Sequence, residues 1–395
     1  MKKSLLAAAV SGALCAVPAA HADTANVNIY GKFYPAFVGY SGGEAADGKV
    51  PTSTIFSGAG GAAPGGFASQ NAIESFNSYV GFRANLDIGG GMKALMQVEQ
   101  SVNIDTGDET WANRNSAAGI EGGFGTVLLG RWDTPFKELH FPLGMFGVSS
   151  GSPVSNSNLL SRTPYSDSSA ASFHRRQDNA ILYWSPEFNG FQFKGLYGTE
   201  EEKTQGSPAA NPTRMSASLA YDKGPLMAGV AYEIHNDFLG ASSGTDLDSG
   251  VVTSKDTGVA FTASYKITKA TTVAFDYEML KYENDQGDPG SVKEYKRNGW
   301  LLAAEHGVGK WTFAGSYGVA DEGSCSLFGG VACNTSGLDG KQLALGAKYD
   351  IAKNFGVYGW WTKIDNGNSA SYSFLDDAPT GADPSAWAIG IVTRF

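Results

Sequence analysis

One pattern recurs along the chain: runs of about ten residues in which apolar and polar side chains alternate. The first run, NVNIYGKFYPAFVGY, covers residues 26–40. One face carries Val27, Ile29, Phe33 and Phe37, and the other carries Asn28, Tyr30, Lys32 and Tyr34. An alternation with period 2 is typical of a β-strand whose two faces meet different surroundings. The pattern therefore predicts an all-β chain.

Short turns and long polar loops follow one another between these runs. Glycine, asparagine and aspartate are common in the short turns, and they supply the backbone conformations that tight hairpins need. The seven short turns lie at residues 86–92, 121–125, 185–191, 221–226, 265–270, 306–310 and 349–355. The eight longer segments lie near residues 42–72, 104–112, 133–174, 200–211, 237–255, 284–293, 321–337 and 366–383. Seven turns and eight loops join sixteen strands.

Sixteen antiparallel strands with short connections on one side and long ones on the other are typical of a transmembrane β-barrel. Lipid cannot hydrogen-bond the backbone, so a sheet that crosses a membrane must close on itself. No run of 18 apolar residues follows residue 22, which argues against a membrane-spanning helix. The strands of a secreted soluble β-sandwich or propeller also show alternating apolar and polar residues. In those folds, however, short and long connections do not follow one another so regularly.

The first 22 residues, MKKSLLAAAVSGALCAVPAAHA, predict a cleaved signal peptide. Lys2 and Lys3 precede an apolar stretch that ends in Ala-His-Ala, so the mature chain should begin at Asp23. Lipidation at Cys15 is the alternative, but the residue before it, Leu14, is not small. We expect residues 23–395 to form a single barrel domain.

Charge and cysteine content restrict the partners of the mature chain. The sequence has 29 Lys and Arg against 39 Asp and Glu, and loss of the two signal-peptide lysines leaves a net charge of −12. Such diffuse acidity argues against nucleic acid as a partner, since nucleic-acid-binding domains carry basic patches. Cys325 and Cys333 predict a loop disulfide in an exported chain. A metal held by this pair is the weaker alternative, because no histidine lies nearby, and the sequence predicts no cofactor.

The chain ends in another alternating run, SAWAIGIVTRF. Its apolar face, which we expect to meet lipid, carries Trp387, Ile389, Ile391, Thr393 and Phe395. An aromatic residue at the end of such a row resembles the C-terminal assembly signal of outer-membrane barrels. The resemblance implies that the outer-membrane assembly machinery recognises Phe395.

Several stretches resemble the general porins of Gram-negative bacteria, in particular those of beta-proteobacteria. They are NIYGKFYPAF, SYVGFRANLDIGGGMKALMQVEQ, GGFGTVLLGRWDTPFKE, RRQDNAILYWSPEFNGF and the terminal RF. The resemblance implies a homotrimer of sixteen-stranded barrels in contact with outer-membrane lipid and lipopolysaccharide. Each barrel would hold a water-filled pore for ions and small hydrophilic solutes. The third loop, residues 133–174, would fold inward to form the constriction, and its apolar segment FPLGMFG would pack on the barrel wall.

The alternation also predicts which basic side chains face the pore. It turns Lys32, Arg83 and Arg176 inward on the first, second and sixth strands, and it places Tyr79 on the same face as Arg83. The porin resemblance adds Arg114 to this basic wall. Many relatives carry arginine where this chain has Tyr79, so the field at the wall should be weaker than theirs.

The opposing acidic side would come from the third loop, through Asp133, Glu138 and Asp167. A basic wall that faces an acidic loop sets up a transverse field across a narrow pore. The alternative is that these residues are ordinary hydrated charges of the lumen. The four basic residues outnumber Asp133 and Glu138 by two, so the sequence predicts a weak preference for anions.

Arg131 stands apart, because it shares the outward face of its strand with Val127 and Leu129. An arginine in lipid costs roughly 2–4 kcal/mol at the bilayer midplane, so either a bulge turns the side chain or protein covers it. We expect Arg131 to lie at the subunit interface. Its expected partner is an acid from the second loop of a neighbouring subunit: Asp105, Asp108 or Glu109.

Other functions are compatible with a barrel. A barrel enzyme would need a nucleophile and a base held together, but no serine stands in a G-x-S-x-G context. We expect a structural or solvated role for each mature histidine: His140, His174, His235 and His306. A substrate-specific channel would need aromatic residues in the lumen, and Tyr30, Tyr34 and Tyr79 could supply part of such a row. An adhesin would not require the pattern of the third loop.

Overall fold

The alternating runs form β-strands that pair into one antiparallel sheet in the computed structural model. The structure describes residues 25–42, 49–55, 69–107, 110–140, 142, 145, 152–165, 171–200, 212–238, 253–375 and 379–395. The strands are β1 (Asn26–Phe33), β2 (Pro35–Ser41), β3 (Gln70–Ser75), β4 (Tyr79–Gly89), β5 (Met92–Ser101), β6 (Ser116–Gly122), β7 (Gly125–Asp133), β8 (Arg176–Trp184), β9 (Phe191–Thr199), β10 (Thr213–Lys223), β11 (Leu226–Asn236), β12 (Lys255–Lys266), β13 (Thr271–Glu283), β14 (Val292–Val308), β15 (Trp311–Ala320), β16 (Ser324–Leu327), β17 (Gly340–Ala352), β18 (Phe355–Asn366) and β19 (Ser385–Arg394).

These nineteen segments build a barrel of sixteen strands. β1 and β2 are halves of one strand interrupted at Tyr34, and β3 and β4 are halves of the next, interrupted near Asn77. β16 is a short strand in the loop after β15, where it pairs with the outer part of β14. β19 pairs with both halves of the first strand, for example through Ile389 and Phe37, and so closes the barrel. The predicted strand number is confirmed for the described part of the chain.

The seven short turns and eight longer connections also occur where the sequence predicts them. The turn between β4 and β5 contains Gly90 and Gly91, whose φ angles of +64° and +73° are left-handed. Glycine adopts this conformation at little steric cost, which explains the GGG sequence at the turn. Within the described ranges, no helix has the length and apolar character needed to cross a membrane.

The outward face of the barrel is the apolar face predicted from the alternation. Val27 and Ile29 are 62% and 57% exposed, whereas Lys32 on the opposite face is 4% exposed. On the last strand the exposed row is Trp387, Ile389, Ile391 and Phe395. A continuous apolar exterior around a closed sheet is stable in lipid rather than in water. The predicted signal peptide, residues 1–22 with Cys15, lies outside the described residues.

The outer loops brace one another above the barrel. A disulfide joins Cys325 to Cys333 in the loop between β15 and β17, and the two Cα atoms are 5.7 Å apart. Ile55 from the first outer loop packs in the same cluster as these cysteines. Lys49, also from the first loop, forms an ion pair of 2.8 Å with Asp383 in the last loop. The first loop is therefore held against the seventh and eighth.

We predict that removing Phe395 impairs assembly of the barrel but leaves export intact. Its ring stacks on that of Phe33 at a centroid distance of 5.9 Å, and its backbone N–H and C=O both pair with Gly31. Loss of the phenyl ring from an apolar environment costs about 1.5–3 kcal/mol, at the point where the first and last strands meet. The measurement is the amount of protein in the outer-membrane fraction, with Phe395→Tyr as the control that keeps the ring. An unchanged amount of the truncated protein would contradict the prediction.

Candidate functional site

The third loop, which connects β7 to β8, turns into the barrel instead of standing above it. Its described part contains two short helices, α1 (Pro135–Leu139) and α2 (Ser157–Leu160). α1 packs on β10 and β11, and α2 packs on β15 and β17. Phe136, Leu159 and Leu160 are almost completely buried between the loop and the wall. The inward fold predicted from the sequence is therefore confirmed.

Arg297 on β14 anchors the C-terminal end of α2. Its guanidinium donates hydrogen bonds to the carbonyl oxygens of Leu159, Leu160 and Arg162 at 3.0, 2.8 and 2.6 Å. The last carbonyl groups of a helix have no partner within the helix and carry partial negative charge, so a buried cation stabilises them. This single side chain therefore fixes the helix to the opposite wall.

Apolar contacts complete the attachment of the loop. Met145, from the predicted FPLGMFG segment, belongs to the same buried cluster as Tyr34, Val38 and Trp360 of the wall. The rest of that segment, apart from Pro142, lies outside the described residues. Burial of such side chains is worth about 1.5–3 kcal/mol each. The loop is thus held by a packed interface as well as by hydrogen bonds.

Four of the predicted pore-wall residues, Lys32, Tyr79, Arg83 and Arg114, form one cluster with Tyr30. The guanidinium of Arg83 lies 4.4 Å from the ring centre of Tyr30, and that of Arg114 lies 4.8 Å from the ring centre of Tyr79. Lys32 Nζ is 6.0 Å from the same Tyr79 ring. These distances permit cation–π attraction. Tyr79 therefore lies within the basic cluster and orients its cations, although it carries no charge itself.

Glu99 on β5 belongs to this cluster and was missing from the sequence prediction. Its carboxylate accepts hydrogen bonds from Arg114 Nε at 2.6 Å and from the Tyr30 hydroxyl at 3.1 Å. The side chain is 7% exposed, so the Arg114 charge is largely compensated within the wall. The signal was present in the sequence, because Glu99 shares the polar face of its strand with Lys93 and Gln97.

Arg176 and Asp133 form a second cluster beside the first. They are direct neighbours across β7 and β8, with Arg176 Nε 3.3 Å from Asp133 Oδ1. Lys137 Nζ lies 2.7 Å from the same carboxylate, and Asn115 Nδ2 donates to it at 2.9 Å. The expectation that Asp133 faces the basic wall from the loop is therefore wrong. β7 continues through Asp133, so this acid is part of the wall.

Glu138 lies apart from both clusters, on α1. It accepts hydrogen bonds from Trp132 Nε1 at 3.0 Å and from Lys194 Nζ at 2.6 Å. Burial raises the pKa of the Glu138 carboxyl, although Lys194 opposes this effect. It lines a cavity of about 500 Å³ between the loop and β9–β11. Asp167, the third predicted acid, lies outside the described residues.

Arg131 has the outward orientation that the alternation predicts, at a register shift between Gly130 and Trp132. Its guanidinium pairs with Asp178 on β8, and its Nε donates to the carbonyl oxygen of Asn113 at 3.1 Å. The expected acid from a second loop is therefore not needed to pair this charge, because the chain supplies Asp178 itself. The position at the subunit interface stays a prediction. Two of the expected acids, Asp108 and Glu109, lie outside the described residues.

The histidines occupy different environments. His306 lies at an exposed turn, where its Nδ1 is 2.8 Å from the hydroxyl of Thr271. His235 is buried on β11 beside Glu233. His140 and His174, from the two ends of the third loop, lie together with ring centroids 4.3 Å apart. Burial lowers the pKa of His174 well below its usual value, so its imidazole is neutral at pH 7.

Comparison with known sequences agrees with this architecture. The sequence profile of the Gram-negative porin family matches residues 6–391. The "Major outer membrane protein P.IB" of Neisseria gonorrhoeae is 30% identical over 203 residues, which are 51% of this chain and 49% of that protein. "Outer membrane porin protein 32" of Delftia acidovorans is 26% identical over 289 residues, 71% of this chain and 72% of that protein. The aligned part thus spans about half the length of the Neisseria relative.

Solved structures share the fold at low sequence identity. The "Anion-selective porin from Comamonas acidovorans" has a TM-score of 0.70 at 20% identity, covering 94% of this chain and 100% of that one. The trimer form of "OmpT", an outer membrane protein of Vibrio cholerae, has a TM-score of 0.61 at 16% identity, with the same coverage. The sequence match extends over nearly the whole chain. This chain is an outer-membrane protein and belongs to the Gram-negative porin family.

Proposed function

We propose that the protein is a homotrimeric channel through which ions and small hydrophilic solutes diffuse passively across the outer membrane. The observation that carries this proposal is the third loop, which is fixed inside the barrel and leaves a charged wall facing the lumen. A loop in this position narrows the barrel, and it needs no moving part to do so. Relatives that bear the name porin, and a related fold described as a trimer, support the proposal.

The charges around the proposed constriction favour anions weakly. Lys32, Arg83, Arg114, Arg176 and Lys137 stand against the carboxylates of Glu99 and Asp133, so basic groups exceed acidic ones by three. The two carboxylates pair directly with Arg114, Arg176 and Lys137, so they offset only part of the positive charge of the wall. Acidic groups on the outer loops act less strongly, because salt screens exposed charges beyond about 8 Å. A relative of the same fold is titled anion-selective, which agrees with this sign.

A substrate-specific channel of the same fold is the second candidate. Tyr30 and Tyr79 form an edge-on pair with ring centroids 6.2 Å apart, beside the basic cluster. Tyr34, the third expected ring, is 1% exposed and stacks on Tyr358, so it does not extend the row into the lumen. Two tyrosines make a short aromatic surface, and we therefore favour the general channel. A catalytic role is not part of the proposal. Ser157, His174 and Glu278 are in hydrogen-bond contact, but all three are buried, and the serine faces Nδ1 and the acid Nε2, the reverse of a catalytic triad.

We predict that Arg83→Gln combined with Arg114→Gln moves the selectivity toward cations. The double change removes two positive charges from the cluster and leaves the Glu99 carboxylate in place. The measurement is the reversal potential of the open channel in a salt gradient across a planar bilayer. Lys281→Gln with Lys296→Gln is the matched control, because these lysines pair with Glu294 at the exposed outer rim. A double mutant with the wild-type reversal potential would show that these arginines do not line the pore.

We predict that Arg297→Met loosens the third loop without unfolding the barrel. Each hydrogen bond from a charged donor contributes about 1.5–3 kcal/mol, and Arg297 donates to three carbonyl groups of the loop. We expect a larger mean conductance and stronger current fluctuations in single-channel recordings. Lys296→Met is the control, since it alters the neighbouring residue on the same strand but faces outward. Recordings identical to wild type would show that this anchor does not position the loop.

We predict that Arg131→Ala lowers the temperature at which the trimer dissociates on a gel without prior boiling. The pair with Asp178 lies on the outer surface of the barrel, with 37% and 45% of the side chains exposed. In lipid this exposure would be costly, whereas a neighbouring subunit would cover the pair. Asp178→Asn is the companion variant and should act in the same direction. Equal heat stability of the Arg131→Ala trimer and the wild type would contradict a place at the interface.

A further inference from the structure

Four titratable side chains meet between the third loop and β13, in a region that the proposed channel function does not use. His140 follows α1, His174 precedes β8, and Asp276 and Glu278 are alternate residues of β13. All four are buried, with exposures of 0–6%. Ligand atoms of His140, His174 and Glu278 lie within 4.8 Å of one another. Burial of imidazole and carboxylate groups costs free energy unless the groups are paired, so their meeting here indicates a specific interaction.

The ring nitrogens point at carboxylate oxygens. His140 Nδ1 is 2.9 Å from Asp276 Oδ2, and His174 Nε2 is 2.7 Å from Glu278 Oε1. His174 Nδ1 is 2.8 Å from Ser157 Oγ. With the proton on Nδ1 of both rings, Asp276 and Ser157 accept hydrogen bonds and both Nε2 atoms keep a free lone pair. Metal-binding histidines are commonly oriented in this manner, by an oxygen that accepts from the second ring nitrogen.

Glu278 supplies a second and independent observation. Its Oε2 is buried and receives no N–H or hydroxyl hydrogen bond from the described residues, while its carboxyl group lies within hydrogen-bond reach of the Asp276 carboxyl. A buried carboxylate oxygen without a partner costs about 1–3 kcal/mol, and more when it is charged. Asp276 adds a second carboxylate to the same space, while Thr262 Oγ1 satisfies its other oxygen at 2.7 Å. A divalent cation would compensate both carboxylates and occupy the free acceptor positions.

We propose that His140, His174 and Glu278 bind a first-row divalent transition metal, with zinc as the best match, and that Asp276 and Ser157 orient the two histidines. Two imidazoles and one carboxylate, with a fourth position open, form an established zinc ligand set. At metal–ligand distances of about 2.0–2.2 Å, tetrahedral ligand atoms lie about 3.4 Å apart. His174 Nε2 lies 2.7 Å from Glu278 Oε1, and the ligand atoms of all three residues lie within 4.8 Å of one another, so side-chain movements of about 1 Å close the site.

The site would join both ends of the third loop to the facing wall. His140 and His174 bracket the inner part of the loop in sequence, and Glu278 belongs to the barrel. A bound metal would therefore limit the movement of the loop more strongly than hydrogen bonds alone. Arg297 and Lys137 are cations that act electrostatically on His174, and both are already engaged, by loop carbonyl groups and by Asp133. This inference depends on the position of the loop and not on ion selectivity.

The test uses the full mature chain without a histidine tag, refolded into detergent with excess zinc because the site is buried. Free metal is removed by gel filtration, and bound zinc is measured by mass spectrometry. We expect about one zinc per chain in the wild type, and at least a tenfold lower affinity in His174→Gln and Glu278→Gln. His235→Gln is the matched control: His235 is buried 2.7 Å from Glu233, but no third ligand among the described residues completes a site there.

A second measurement uses only the wild-type protein, so it does not depend on whether the variants fold. Refolding the wild type with cobalt should give the visible absorption of a four-coordinate Co²⁺ centre, and zinc should abolish it by displacement. Absence of this absorption together with no retained zinc would overturn the proposal and leave a hydrogen-bonded cluster of imidazoles and carboxyl groups. Equal zinc in the wild type, His174→Gln and Glu278→Gln would also overturn it, because the metal would then sit on other carboxylates. Loss of bound zinc in these two variants, together with retention of zinc in His235→Gln, would establish the site.

Discussion

Hydrogen bonding of the backbone is the constraint on which this structure depends. In lipid a strand has no solvent partner, so each strand must pair on both sides and the last strand must return to the first. β19 does so by pairing with both β1 and β2 across the interruption at Tyr34. Closure fixes the other properties. The outward side chains become apolar, the inward ones are free to be polar, and the connections that carry function must come from the long loops.

The closed wall surrounds a lumen that the third loop partly fills. Placing the loop there costs free energy. Its backbone groups and polar side chains leave water and must find partners inside the barrel. Arg297 satisfies three carbonyl groups, and Tyr282 and Gln342 satisfy those of Ala171 and Pro153. Side chains on the inner face of β13, β14 and β17 therefore hold the loop. Lys32 of β1, Arg83 of β4 and Arg114, just before β6, remain on the facing wall, where they can act on solutes.

The sequence predicted the features that follow from alternation and turn chemistry, and it was less informative about features that depend on register. Strand number, turn positions, the lipid face and the inward side chains of Lys32, Arg83 and Arg176 all follow from period 2. Alternation assigns a side chain to a face, but it does not give its height on the barrel. The pairing of Asp133 with Arg176 depends on the register of β7 and β8, and this is why Asp133 was misplaced.

Two further features could not be read from the sequence for related reasons. The ion pair of Arg131 with Asp178 arises at a register shift, which changes the local alternation of β7 against β8. The meeting of His140 and His174 with Glu278 joins residues more than one hundred positions apart through the path of an irregular loop. Neither periodicity nor turn residues specify such a path. Glu99 is different, since its strand alternates clearly and inspection of that strand would have found it.

The central claim is that the third loop rests against the inner wall in the open channel. Asn156 Oδ1 of the loop lies 3.3 Å from Ser316 Oγ of β15, so cysteines at these two positions should cross-link. The most direct measurement is the conductance of the Asn156→Cys/Ser316→Cys variant under oxidising conditions, with the two single variants as controls. The account predicts ready formation of the disulfide and a conductance equal to that of the single variants. Failure to cross-link, or a cross-linked channel with altered conductance, would contradict it.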